Sequence, residues 1–279
     1  MIDPSAVSAR VGELPCLPQL VMELQQSMQS DDIDAHALAA RITLDSALAA
    51  KILQLANSSF YGVSNRITTV QQAVSVLGFH SIRTLLTTCS ITSSFTADEA
   101  GARHFTEFWR HAIATAVCAR VLAPHLALPA ENAFTAGLLH DIGILVLVTE
   151  FPVEYQQVLA YRKAHDSLLI TAELAVLGID HARVGCALAA HWRFPAAIED
   201  AVGGHHQDGF AGQPLTLTGL ICLASIVAHA LDLSGSDAEQ VPPLPLLLWQ
   251  AVPLSDSGWQ QVFADIDALF DELCQMLLP

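Results

Sequence analysis

Basic residues are scarce in this chain. Twelve Lys and Arg stand against 28 Asp and Glu in 279 residues, a formal net charge of −16. A field of that sign repels nucleic-acid phosphates and anionic membranes, so neither is expected as a partner. Charged residues of both signs make up only 14% of the chain and apolar ones 52%. That balance excludes disorder, because so apolar a chain can bury a full core. No CxxC pair occurs among the six cysteines, at 16, 89, 118, 186, 222 and 274. Each lies in an apolar stretch, and the expectation is free core thiols in a reducing cytoplasm. The N-terminal MIDPSAVSAR lacks the apolar segment of a secretory leader. The 17 residues from Leu215 to Leu231 carry no Asp, Glu, Lys or Arg. They are slightly short for a membrane span and contain His229, so a buried helix is expected.

Clean alternation of apolar and polar residues is also scarce, and the remaining periodicity is helical. The expectation is an all-α fold. Val21, Leu24 and Met28 form one stripe after Pro15 and Pro18. Ile33, Leu38 and Ile42 follow behind Asp31 and Asp32, and Leu48, Ile52 and Leu55 repeat the pattern. Thr68-x-x-Gln71 reads as a capping box for a helix that Gly78 closes, with another helix over 81–93. Thr96-Ala97-Asp98-Glu99-Ala100-Gly101 marks a boundary between an N-terminal unit, 1–95, and a second unit, 96–279. Beyond it, helices are expected over 104–123, 131–149, 152–165, 167–177, 181–192, 195–203, 215–232 and 259–277. Residues 234–245 read as a loop. The helix–Gly78–helix stretch from Thr69 to Thr88 has the outline of a helix-turn-helix. Its second helix offers only His80 and Arg83 as basic residues, and DNA binding is not expected.

What the chain has in plenty is histidine: 12, as many as Lys and Arg combined. His140-Asp141 lies inside the apolar run Leu138-Leu139-His140-Asp141-Ile142-Gly143. Burying such a pair is costly unless both side chains are paired or coordinate a metal. An imidazole beside a carboxylate suits Fe, Mn, Zn or Ni. Upstream, Glu107 and His111 are four residues apart and share a helix face. Downstream, His181 opens a helix that carries Val184, Leu188 and Trp192, and His205-His206 follow a double glycine. His36, His80, His104, His125, His165 and His229 carry no partner pattern and are expected at the surface or as satisfied core residues.

The order E-x-x-x-H, L-L-H-D-I-G, H-x-x-x-G, H-H resembles the metal-ligand series of the HD-domain superfamily. It is most similar to the branch containing the HD-GYP phosphodiesterases and the HDOD proteins. Leu14-Pro15-x-Leu17-Pro18, Asp45-x-x-Leu48, Lys51-Ile52-Leu53-x-Leu55-Ala56-Asn57-Ser58, Phe60-Tyr61-Gly62, Ile67 and Ala73-Val74-x-x-Leu77-Gly78 resemble the HDOD pattern, as do Gly185, Trp192, Pro195 and Ile198. The resemblance covers about residues 12–232. It implies an N-terminal helical subdomain packed on an HD-like helical bundle. It also implies metal ligation by His111, His140, Asp141, His181, His205 and His206, with Glu107 as a further candidate.

The departures are as informative. HD hydrolases carry a late Asp in an apolar helix, where this chain reads Leu223-Ala224-Ser225. A neutral hydroxyl is a far poorer ligand than a carboxylate. Catalytic members follow the HD pair with Gly-Lys, where this chain has Gly143-Ile144. Gln207 stands where a Glu is usual, and no Tyr appears in the loop that follows. The ligand set Asp141, His181, His205 and His206 is intact, whereas the set His111, His140 and Asp141 lacks its last carboxylate. One divalent transition ion is therefore expected rather than two. The resemblance implies a cytoplasmic signalling module that binds a partner protein or a small phosphorylated ligand, with a homo-oligomer compatible. The alternative is a metal-dependent phosphohydrolase. The local cations expected near the ligands are Arg110, Arg183 and Arg193, few for a phosphate site.

Overall fold

The computed structural model describes residues 2–14, 22, 35–94, 102–207, 215–237 and 239–278. Among these residues the chain is helical and contains no strand. The stripe Val21–Met28, the helix start at Asp31 and Asp32, the boundary Thr96–Gly101 and the segment Asp208–Pro214 lie outside the described residues, residue 22 excepted.

Among the described residues, the helices before residue 95 include α1 (Pro4–Glu13), α2 (Ala35–Thr43), α3 (Ser46–Ala56) and α4 (Val70–Ser94). Asp45 starts α3 by accepting the Leu48 amide at 3.0 Å, which satisfies a donor the helix itself leaves open. Asn57 ends it. The Asn57 amide donates to the Leu53 and Ile67 carbonyls at 2.7 and 2.8 Å, and its oxygen accepts the Ile67 amide at 2.8 Å. One side chain thus ties the helix end to the loop that returns toward α4. Inside α4, Gly78 has φ 78° and ψ 169°, a backbone that glycine adopts and other residues resist. The element is two helices meeting at that residue, as the sequence indicates. The capping box lies one residue later than Thr68-x-x-Gln71. Thr69 Oγ1 accepts the Gln72 amide at 3.1 Å, and Gln72 Oε1 accepts the Thr68 and Thr69 amides at 2.9 and 3.3 Å.

The second half holds α5 (Ala102–Leu122), α6 (Ala130–Leu139), α7 (Ile142–Glu150), α8 (Pro152–His165), α9 (Leu169–Val176) and α10 (His181–His191). Then come α11 (Ala196–Gly204), α12 (Leu217–Ala230), the short α13 (Leu246–Ala251) and α14 (Asp256–Leu277). Helix α5 runs through the centre and packs on α6, α12 and α14. From Ala112 to Ala119 its residues are almost wholly buried, so it is apolar on every face, as a central helix must be. The single helix expected over 131–149 is two, because the chain breaks at His140-Asp141. Residues 234–237 and 239–245 form the expected loop, while the sequence reading has no counterpart of α13.

The halves meet where α4 packs on α6, with Arg83 Nη2 donating to Asn132 Oδ1 at 3.4 Å, and at two further places. Helix α14 reaches α3, and Glu272 accepts the Ser59 amide at 3.0 Å. Helix α1 packs on α10, with the Ile2 amide donating to the Leu177 carbonyl at 2.8 Å. The first helix of the chain therefore lies with the second half. By length and composition, Ala130–Glu150 has the makings of a membrane span, but 78% of its apolar 18-residue window is buried within the protein. No other helix among the described residues is long and apolar enough to cross a membrane; α12 has only 14 residues.

Candidate metal centre

The site is assembled from four points on the helical frame. His111 projects from mid-α5, His140 and Asp141 from the break between α6 and α7, His181 from the first residue of α10, and His205 and His206 from the end of α11. Asp141 sits at the start of α7, where an aspartate ordinarily caps an amide. It makes no such bond, and its carboxylate turns into the cluster. Asp141 Oδ1 lies 3.2 Å from His181 Nε2 and 3.3 Å from His205 Nε2. Asp141 Oδ2 lies 3.3 Å from His140 Nε2 and 3.7 Å from His111 Nε2. His206 Nε2 is 2.9 Å from His181 Nε2.

Helices α7 and α10 cross almost in backbone contact. A Cβ on Gly143 would lie 2.0 Å from the His181 carbonyl oxygen and 2.6 Å from the Gly185 nitrogen. Only glycine permits this approach, and the approach brings Asp141 within reach of His181.

Backbone and carboxylate partners fix which ring nitrogens face inward. His140 Nδ1 donates to the Gly137 carbonyl at 2.7 Å, and His205 Nδ1 to the Val202 carbonyl at 2.8 Å. Each thus turns its Nε2 toward the cluster, buried and 3.3 Å from the Asp141 carboxylate. His181 Nδ1 contacts Glu173 Oε2 at 2.6 Å, and the same oxygen accepts the His181 amide at 2.9 Å. A carboxylate behind an imidazole fixes its tautomer and raises its basicity, as it does for metal-bound histidines. Ring nitrogens turned inward around one carboxylate make a set that a cation or a proton would hold together.

Burial, then His229 and His140, holds His111 well below the usual imidazole range. Burial pushes His205 down to about 4, and burial with His205 and His181 beside it pushes His206 lower still. His181 goes the other way. Burial opposes its charge, but Glu173 and Asp141 outweigh burial and carry it well above 6.5. Burial likewise works against the Asp141 carboxylate, and His140 and His181 outweigh it, holding that group well below the carboxylate range. Among Asp141, His181, His205 and His206, metal-free protein at neutral pH therefore carries one extra proton, on His181. The chemistry of the donors fits a divalent transition ion: Asp141, His181, His205 and His206 each offer one atom, all within 4.8 Å of one another.

The measurable consequence is proton release. His111, His205 and His206 are already neutral at pH 7, so metal uptake displaces about one proton, that of His181. On the acid side of the raised His181 pKa, affinity falls about tenfold per pH unit. The fall thus begins well above the ordinary imidazole value of about 6.5. Calorimetric titration in buffers of different ionisation enthalpy measures the number directly. A release near zero at pH 7 would contradict the placement of that proton.

The structure brings together His111, His140, Asp141, His181, His205 and His206. Glu107 stays outside the cluster. It lies on the wall of the adjoining cleft and accepts from Ser236 Oγ at 3.0 Å. Ser225 is buried, with Oγ 3.4 Å from His111 Nε2. The pattern-based reading missed Glu173, fully buried in the otherwise apolar LITAELAV of α9; a lone acid there was the available signal. His229, expected at the surface or as a satisfied core residue, bonds Glu239 and also stacks on His111 with ring centroids 4.1 Å apart. His229 lies on α12 one turn after Ser225, so the helix directs it at the same cleft. That cleft, about 710 Å³, has apolar walls including Phe105, Phe108, Ile144, Leu159 and Leu169. The cation on its lining among the described residues is Arg162. Arg110 is instead spent on structure: it donates to the Leu233 and Ser234 carbonyls and lies over the Phe270 ring.

Comparison with known proteins identifies the fold. A family model, the HDOD domain, matches residues 14–208. A provisionally named phosphohydrolase from Shewanella amazonensis SB2B is 26% identical, with a TM-score of 0.77 and 98% of both chains covered. An HDOD domain protein of unknown function from Geobacter sulfurreducens shares the fold at 22% identity. Its TM-score is 0.72, over 99% of this chain and 98% of that one. An uncharacterized protein of Treponema pallidum (strain Nichols) is 26% identical over 85% of this chain, which spans 46% of its length.

Proposed function

The chain belongs to the HDOD family, and from that premise we propose a regulatory module that acts by binding a signalling protein or a small phosphorylated ligand. Its HD pocket holds one divalent ion on Asp141, His181, His205 and His206 and has lost the means of hydrolysis. The observation that carries this reading is Ser225. It stands 3.4 Å from His111 Nε2, where the resemblance puts the carboxylate that completes the other metal position. His111 and His140 remain, but an uncharged hydroxyl holds a cation poorly. Ile144 lines the cleft in place of a lysine, so the phosphate-facing charge is missing as well. When bound, an ion supplies a Lewis-acid position and a fixed positive charge. The chain's own part is mechanical: Glu173 orients His181, the Gly137 and Val202 carbonyls orient His140 and His205, and Asp141 ties α7 to α10 and α11. A cytoplasmic setting goes with this reading, supported by the cysteines at 118, 186 and 274, which form no disulfide.

The competing reading, a metal-dependent phosphohydrolase, is favoured by the retained histidine cluster and by the name of the Shewanella relative. The two separate on a rescue. Wild-type protein loaded with Mn or Fe should not turn over cyclic dinucleotides. Losing one electrostatic contact of this kind commonly costs roughly 10²–10³ in rate, and both a ligand and a lysine are gone. The double variant Ser225→Asp with Ile144→Lys should then show activity that neither single variant has. Robust turnover of any phosphate ester by wild-type protein, abolished in His140→Ala, would establish the hydrolase instead.

A further inference from the structure

We propose that the same cleft contains a second cation position, made by His111, His229 and Glu239, that the family pattern does not contain. Its ligand class is a borderline divalent ion, Zn²⁺ or Fe²⁺, to which two imidazoles and a carboxylate are suited. The position compensates for the carboxylate missing at residue 225. One turn after Ser225, α12 presents His229, whose ring lies against His111 at 4.1 Å with 26° between the planes. Glu239 comes from the following loop and bonds His229 Nδ1 with one oxygen and Ser234 Oγ with the other. One atom from each of His111, His229 and Glu239 lies within 4.8 Å of the others.

Two further observations point to a ligand. His111 is 7% exposed, and its Nδ1 is buried without a hydrogen-bond partner. A simple His229–Glu239 ion pair would account for neither that orphan nor an imidazole stacked on it. The loop that delivers Glu239 is also anchored. Arg110, the residue before His111, donates from Nε to the Ser234 carbonyl at 3.2 Å and from Nη2 to the Leu233 carbonyl at 3.1 Å. Ser236 Oγ donates to Glu107 Oε2 at 3.0 Å. The carboxylate is thus fixed relative to α5 and costs little further ordering. A carboxylate has about four acceptor directions, so Glu239 can keep its present partners and accept a cation too. The side chains of His229 and Glu239 are 24% and 15% exposed, which leaves water free to complete the coordination.

Asp141 does not belong to this set. An ion here would not share the Asp141 carboxylate with its neighbour, so the two-ion clamp that hydrolysis needs is not restored. The inference goes beyond the proposed function and stands apart from it.

The test is equilibrium dialysis of the full chain, stripped and then exposed to Zn²⁺, with bound metal measured by emission spectrometry. Co²⁺ absorption gives an independent reading of ligand loss. Wild-type protein should take up two equivalents in separable steps. Glu239→Gln and His229→Gln should weaken one step at least tenfold and leave the other, whereas Asp141→Ala should do the reverse. Ser225→Ala should keep both. Far-UV dichroism confirms that each variant is folded, and His229→Ala serves as a second probe of the same position. Saturation at one equivalent in wild type that Asp141→Ala abolishes, or two equivalents surviving both Glu239→Gln and His229→Gln, would overturn the proposal. A single equivalent that survives Asp141→Ala but not His229→Gln would sustain it while refuting the site on Asp141.

Discussion

Removing the bound metal should lower the melting temperature by about 10 °C. An ion present at about a thousand times its dissociation constant contributes about 4 kcal/mol to the folded state. For chains of this size each kcal/mol moves the midpoint by about 2–4 °C. The stabilisation is concentrated here because the ligands come from the α6–α7 break, α10 and α11, and no backbone ladder joins those elements. The removal also leaves Asp141, His181, His205 and His206 facing one another, with a single proton among them. Calorimetry of chelator-treated and reloaded protein gives the shift, and His206→Ala should erase most of the difference between the two. A midpoint that ignores chelation would mean that the cluster holds no metal in solution.

Gly143→Ala should be the most damaging single-methyl change in the protein. A Cβ at 2.0 Å from the His181 carbonyl oxygen and 2.6 Å from the Gly185 nitrogen meets backbone on both sides. No rotamer change relieves that clash, and α7 must move off α10. Overpacking typically costs about 1–3 kcal/mol, occasionally more, and a backbone clash of this depth belongs at or beyond the upper end. The same displacement separates Asp141 from His181, so metal affinity should fall together with stability. Denaturant unfolding and metal titration of the one variant measure both. Gly12→Ala is the control: nothing lies within 4 Å of its Cβ. A Gly143→Ala protein with wild-type midpoint and affinity would refute the crossing geometry.

The sequence discloses the ligands better than it discloses their supports. His140-Asp141 is conspicuous because charge in an apolar run is costly, and that same cost forces the chain to break there. The continuous periodicity of 131–149 hides the break, since apolar residues flank the pair on both sides and α6 and α7 are both buried. Glu173 is harder to see, because its partner His181 belongs to the next helix and the pairing needs the turn between α9 and α10. His229 and Glu239 are ten residues apart across a helix end, so no periodic template joins them. Their meeting depends on Arg110 holding the loop from a distant helix. The register of the capping box at Thr69 slipped by one because Thr68 and Thr69 are both competent caps, and packing of Val70 and Ala73 decides between them.

The spacing of the ligands along the chain also sets a schedule for biosynthesis. His111 and His206, both in the cluster, are separated by about half of the second unit of the protein. On the ribosome, α5 through α10 emerge before His205 and His206 do. A nascent chain that has made His140, Asp141 and His181 therefore offers an incomplete set for the whole of that interval. Metal insertion becomes a late event that follows docking of α11. A chain terminated anywhere before residue 206 should be made in the cell but never metallated.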